Sequence, residues 1–252
     1  MKRIIKLILF YFLYQLGSLF VLVFLYYLFY GLRTLAAGQG FSFPSSEGLQ
    51  LLPLSYTIAA SLLGSIAFGG HLLAKRYVPF GRSTFSPVSL GMMLIIVPLT
   101  FGMSAWMNYL TEALHLPNNF EELFIQMANN AWGVLNIALI APMFEELLFR
   151  GAIEGHLLRQ WKNPWGGILL SALIFGAVHG NPAQIPFAFV LGVLLGWLYY
   201  RTGSLLPGML LHFLNNTAAV VLMHAVPADA DSMESMFGGA SKIGRASCRE
   251  RV

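Results

Sequence analysis

Residues 131–150 read AWGVLNIALIAPMFEELLFR. The run from Trp132 to Phe149 has the apolar character of a membrane span, which needs about 20 residues of helix. Yet Glu145 and Glu146 stand side by side inside it. An ionised side chain at the centre of a bilayer costs roughly 2.5–3.5 kcal/mol on insertion scales. Two adjacent acids are hard to explain as packing. Intramembrane acids face a polar interior and mark chemistry, ion passage or a proton path.

The rest of the chain has the same solvent preference. Of 252 residues, 57% are hydrophobic and 10% charged, against about 25% charged in soluble domains. This is the composition of an all-α, polytopic transmembrane bundle. It leaves no room for a soluble domain of useful size between the apolar runs. The expected surroundings are membrane lipid, and nucleic acid is not an expected partner. The final stretch IGRASCRERV, 243–252, reads as translated sequencing adapter and is set aside from fold reasoning. Without its three arginines and one glutamate the net charge falls from +4 to +2, and the only cysteine, Cys248, goes too. Disulfide, thiolate-nucleophile and cysteine-metal chemistry are then excluded.

Apolar runs at 4–32, 54–74, 88–109, 132–149 (continuing as helix to 159), 165–180, 185–200 and 205–223 give about seven spans. The break near Lys242 leaves room for an eighth. Pro98 is an expected kink. The mixed segment 119–130 suits a helix at the interface or leading into the fourth span. Lys2, Arg3, Lys6, Lys75, Arg76, Arg82, Arg159, Lys162 and Arg201 all fall on one side of this topology. Cytoplasmic loops collect Lys and Arg, so the N-terminus is expected in the cytoplasm of a multi-pass cell-membrane protein. The expected organisation is an N-terminal set of spans (1–110), a core (119–224) and an outer tail (225–242).

Each helical residue advances about 100°. Glu146 and Arg150, four apart, share a face and can pair. Glu145 points elsewhere and is free to face a cavity as a general base. Phe175 and His179 are four apart on the fifth span, and His212 and Asn216 on the seventh. Any one of these is ordinary; three spans each bringing ionisable or amide groups into apolar segments is not. Depths agree for Glu145, about 24 Å above Trp161, and His179, about 21 Å above Trp165. His212 stands only about 11 Å beyond Leu205, which requires the Gly203–Ser204 turn to dip inward or the span to start deep.

In this order, Glu145-Glu146-x-x-x-Arg150, Phe175-x-x-x-His179 and His212-x-x-x-Asn216 resemble the CPBP family of intramembrane proteases. That family takes in type II CAAX prenyl endopeptidases and bacterial proteins linked to bacteriocin processing and self-immunity. The resemblance covers about 130–221, including APMFEELLFRG, IFGAVHG and RTGSLLPGMLLHFLNN. It implies peptide-bond hydrolysis of a membrane-bound or lipidated substrate. Glu145 and His179 would activate the water, and His212 and Asn216 would stabilise the oxyanion. Glu146, Arg150 and Phe175 would support them. The metal question stays open: Glu145, His179 and His212 could hold zinc with an open position, but there is no HExxH, and a metal-free glutamate mechanism is the alternative preferred. Access from the cytoplasmic side is expected. The competing readings are a non-catalytic immunity or partner-binding protein and a proton-coupled transporter, whose inverted repeat is not visible.

Overall fold

In the computed structural model, described over residues 1–43, 53–79 and 81–225, every regular element among the described residues is helical. The elements are α1 (Lys2–Ala36), α2 (Leu54–Ala74), α3 (Leu90–Ala113), α4 (Glu121–Ala128), α5 (Ala131–Gln160), α6 (Pro164–Val178), α7 (Ile185–Thr202) and α8 (Leu206–Ala225). The tail expected beyond Ala225, the adapter-like end and most of the Gly/Ser/Pro-rich loop after α1 lie outside the described residues.

Among the described residues, six helices (α1, α2, α3, α5, α7 and α8) are long and apolar enough to cross a membrane. Seven spans were expected; the fifth, α6, has 15 residues, about 22 Å against a hydrocarbon core of about 30 Å. Both its ends are fixed locally. Asn163 accepts from the Trp165 N–H at 3.0 Å with Pro164 at the first turn, an N-terminal stop. Gly180 follows with φ +62°, a left-handed conformation that closes a helix and costs glycine little. Exposed apolar side chains such as Leu9, Leu13, Leu16 and Phe20 run along α1, as a lipid-facing surface requires.

The bundle has two chemically distinct ends. At one, Arg3 Nη2 donates to the Tyr77 carbonyl at 3.3 Å. There the Leu205 N–H also donates to the Thr84 carbonyl at 2.8 Å. The start of α1, the α2–α3 loop, the α5–α6 turn and the α7–α8 turn meet here, carrying most of the lysines and arginines. At the other end the Ala183 N–H donates to the Pro117 carbonyl at 3.3 Å. Asn181 reaches Asn118 Oδ1 at 2.8 Å and accepts from the Asn119 N–H at 3.2 Å, joining the loops before α4 and after α6.

The largest core, with Leu7, Phe68, Leu72, Phe149, Ile153 and Phe175 among its members, packs α1, α2, α5 and α6 toward the basic end. A second core of Ile96, Leu191, Leu195, Leu198 and Leu211 joins α3, α7 and α8. Close approach of α6 and α7 depends on Gly192, where a Cβ would sit 3.0 Å from the Ala172 Cα. Small residues let membrane helices approach in this way.

Candidate active site

α5 is not a uniform α-helix. Asn130 caps it, accepting from the Trp132 and Gly133 N–H groups at 3.0 and 3.2 Å. It then widens into π-helical turns at Asn136–Ile140 and Leu147–Glu154, on either side of the α-helical segment Ala141–Glu146. Pro142 has no N–H for the carbonyl one turn back and its ring crowds that carbonyl; the wider turn ahead of it accommodates both. π-turns concentrate at functional sites, and these two bracket the glutamates.

The two acids face different surroundings. Glu146 is fully buried. Its Oε1 accepts from Arg150 Nη1 at 2.9 Å and from His212 Nδ1 at 3.0 Å. Arg150 Nη2 donates to the Gly192 carbonyl at 3.1 Å, and the guanidinium lies 4.5 Å from the Phe175 ring centroid. Buried charges are tolerated when paired and hydrogen-bonded in this way. Glu145 instead lines a cavity of about 450 Å³, its side chain 18% exposed.

His179, His212, Asn216 and Phe175 line the same cavity as Glu145; Glu146 and Arg150 stand behind its wall. His212 bridges the acids: with Nδ1 on Glu146, its Nε2 lies 3.7 Å from Glu145 Oε2. That network assigns the Nδ1 proton. His179 closes α6, its Nδ1 2.7 Å from the Phe175 carbonyl, so Nε2 is the nitrogen left for the cavity. The Phe175 ring meets both imidazoles edge-on, with centroids 4.8 Å from His179 and 5.6 Å from His212. Asn216 donates to the Ile137 carbonyl at 2.9 Å and accepts from Asn215 at 3.2 Å. One amide hydrogen stays free.

The depth conflict for His212 resolves through the turn before α8. Ser204 and Leu205 are buried, and Ser204 Oγ donates to the Ser86 carbonyl at 2.9 Å. The α2–α3 loop therefore seals the basic end beneath α8, and α8 begins inside the bundle.

Several cavity groups carry no sequence motif. Asn136, 2% exposed, donates to Ser61 Oγ at 2.9 Å. Its Oδ1 has no partner. Ser104 donates to Asn215 Oδ1 at 2.8 Å. A polar residue inside an apolar span was the available signal for Asn136. The serines, Ser61 on α2 and Ser104 on α3, gave none.

A metal would need three of the acidic and imidazole groups to converge. Among the described residues no three His, Cys, Asp or Glu side chains do so. His212 has Nδ1 on Glu146 and His179 has Nδ1 on a carbonyl, which leaves Nε2 of each ring toward the cavity, the orientation that metal-ligating histidines also adopt. The ring nitrogens therefore do not argue against the zinc set of Glu145, His179 and His212, and no chemical step is routed through a metal below.

Residues 127–218 match the family model of the type II CAAX prenyl endopeptidase Rce1-like proteins. A putative membrane peptidase, YdiL, of Bacillus subtilis is 29% identical over 107 residues, 40% of this chain and 43% of that protein. The membrane-embedded CAAX protease MroQ of Staphylococcus aureus is 26% identical over 153 residues, 58% of this chain and 59% of that protein. An uncharacterized 24.3 kDa protein of Escherichia coli is 34% identical over 83 residues, 31% and 38% of the two chains. The chain thus spans about half the length of the curated relatives it matches. No solved structure matches. The resemblance read from the motifs holds over 127–218, the segment that carries Glu145 through Asn216.

Proposed function

We propose, from the Rce1-like segment 127–218 and the chamber built inside it, that the protein is an intramembrane endopeptidase acting on a membrane-associated or lipidated peptide. The observation that carries this reading is the separation of the two glutamates. One is locked by Arg150 and His212, and the other faces the chamber with two imidazoles and an amide around it.

Water bound between Glu145 and His179 loses a proton to the carboxylate, and its oxygen bonds to the scissile carbonyl carbon. The carbonyl electrons move onto oxygen, giving a tetrahedral oxyanion. The free amide hydrogen of Asn216 donates to that oxygen, and His212 adds a second donor at Nε2 in its doubly protonated form, with Nδ1–H kept on Glu146. Donors fixed in place before the reaction stabilise such charge without reorganising. Glu146 holds the His212 ring, and Ile137 and Asn215 hold the Asn216 amide. Glu145 then passes its proton to the leaving nitrogen as the C–N bond breaks. The products are a carboxyl end and an amine end, and no group is oxidised or reduced.

The test is complementation in cells lacking the protein, with membrane peptides read by mass spectrometry. Wild type restores the missing cleavage products. Glu145→Gln and His179→Ala insert normally and lower processing by 10²-fold or more, the scale of general acid–base catalysis. Normal processing by Glu145→Gln rejects the assigned base. Wild-type protection of cells by Glu145→Gln without cleavage shows a binding protein instead.

A further inference from the structure

Among the described residues the chamber has a closed floor and an open mouth, at opposite ends of the bundle. Along each helix its lining stops at the catalytic level and runs one way only. On α5 it includes Asn136 and Glu145 but nothing beyond; on α7 it ends at Leu191, one residue before Gly192; on α8 it begins at His212 and continues to Met223. Beyond the floor lie buried Leu148, Phe149, Arg150 and Ile153 and the turn sealed against the α2–α3 loop. At the mouth, Asn118 is exposed, Leu123 is 37% exposed and Met223 44%.

The floor faces the end that gathers Lys75, Arg159, Lys162 and Arg201. The mouth faces the end where α4 exposes Glu121 and Glu122. Basic loops lie on the cytoplasmic side. The walls contain Leu, Met, Phe, Ala and Val with amides and serines. Apart from Glu145 and the two histidines, no described lining residue is ionisable, so a charged side chain held along the rest of the wall would lose hydration without a partner.

We infer that the chamber opens to the extracytoplasmic side of the membrane and receives an uncharged, apolar peptide segment presented from that side. This reverses the cytoplasmic access expected from sequence, because motif spacing gives depth along each helix but not which end of the bundle is sealed. Calling that segment a substrate rests on the proteolytic reading; the direction of the mouth and the chemistry of its occupant do not.

The experiment uses full-length protein with Cys248→Ser and single cysteines. Leu123→Cys and Met223→Cys report the mouth; Lys75→Cys and Lys162→Cys report the basic end. In spheroplasts, a membrane-impermeant maleimide is expected to label the mouth cysteines at least tenfold faster than the basic-end ones, with the difference lost on permeabilisation. The opposite pattern overturns the inference. In detergent-solubilised protein carrying Ala219→Cys in the wall, an acylated hexapeptide of Leu, Phe and Ala is expected to slow labelling several-fold. The same peptide with Lys or Asp at its centre should not. Equal protection by the charged peptides overturns the assigned occupant. Both readouts hold in a Glu145→Gln background, so failure of the proteolytic reading leaves them unaffected.

Discussion

Arg150→Met tests whether the chamber floor is a structural ion pair. Arg150 is 1% exposed and Glu146 is fully buried. The substitution removes the 2.9 Å bond to Glu146, the 3.1 Å bond to the Gly192 carbonyl and the contact with the Phe175 ring. It leaves the Glu146 carboxylate in an apolar core with only His212. Deleting one partner of a buried pair costs about 3–5 kcal/mol, whereas replacing both with apolar residues is often neutral or better. The expected loss for Arg150→Met is therefore about 3–5 kcal/mol, most of it recovered in Glu146→Leu/Arg150→Met. Activity should part from stability in that double variant: His212 has lost the acceptor on Nδ1, and processing stays at least tenfold down. Unfolding by SDS titration in mixed micelles, followed by tryptophan fluorescence, measures the first quantity; the peptide assay measures the second. A loss under 1 kcal/mol for Arg150→Met, or a double variant no more stable than the single, refutes the reasoning.

Asn136→Leu removes a buried, unpartnered amide oxygen from a residue of the chamber lining. It should raise KM up to about tenfold, one hydrogen bond's worth, with kcat within twofold; a fall in kcat at constant KM moves Asn136 into the chemistry. Strong chelators should leave processing unchanged, and purified protein should carry far less than one metal ion per chain by elemental mass spectrometry. Stoichiometric metal, with activity lost on stripping and restored on reloading, overturns the metal-free mechanism. Glu154 is fully buried with neither carboxylate oxygen hydrogen-bonded, so Glu154→Gln should not lower stability in the same SDS titration. A loss above about 1 kcal/mol would reveal an ionic role for it, since an isolated buried charge is the costly case.

The helices were legible because burial in lipid demands long apolar runs that internal packing does not disguise. Expected spans 54–74, 185–200 and 205–223 became α2, Ile185–Thr202 and Leu206–Ala225. What could not be read is backbone detail. A π-turn changes the angle between successive side chains but leaves the apolar pattern almost untouched, so Asn136–Ile140 and Leu147–Glu154 look like ordinary helix in the sequence. Only Pro142 hinted that the first would be irregular. The length of α6 was set by Asn163 and Gly180, both visible as stop signals, and the apolar run 165–180 was itself short for a span.

The contact between His212 and Glu146 shows where spacing stops being informative. Helical phase placed Glu146 with Arg150 and turned Glu145 away, because residues on one helix are tied by geometry. His212 comes from a helix 66 residues later, and counting along its own span put it too shallow. Two features bring it down to the glutamates. The buried Ser204–Leu205 turn starts α8 inside the bundle. Gly208 then lets α8 close on α5, since a Cβ there would stand 3.0 Å from Glu146 Oε2. Both lie in a turn and a glycine that sequence reading treats as punctuation. The site is thus split in kind: its acids are positioned by helix periodicity, while the imidazole that couples them depends on how deeply a loop is buried, a property of packing against Thr84 and Ser86 rather than of the motif.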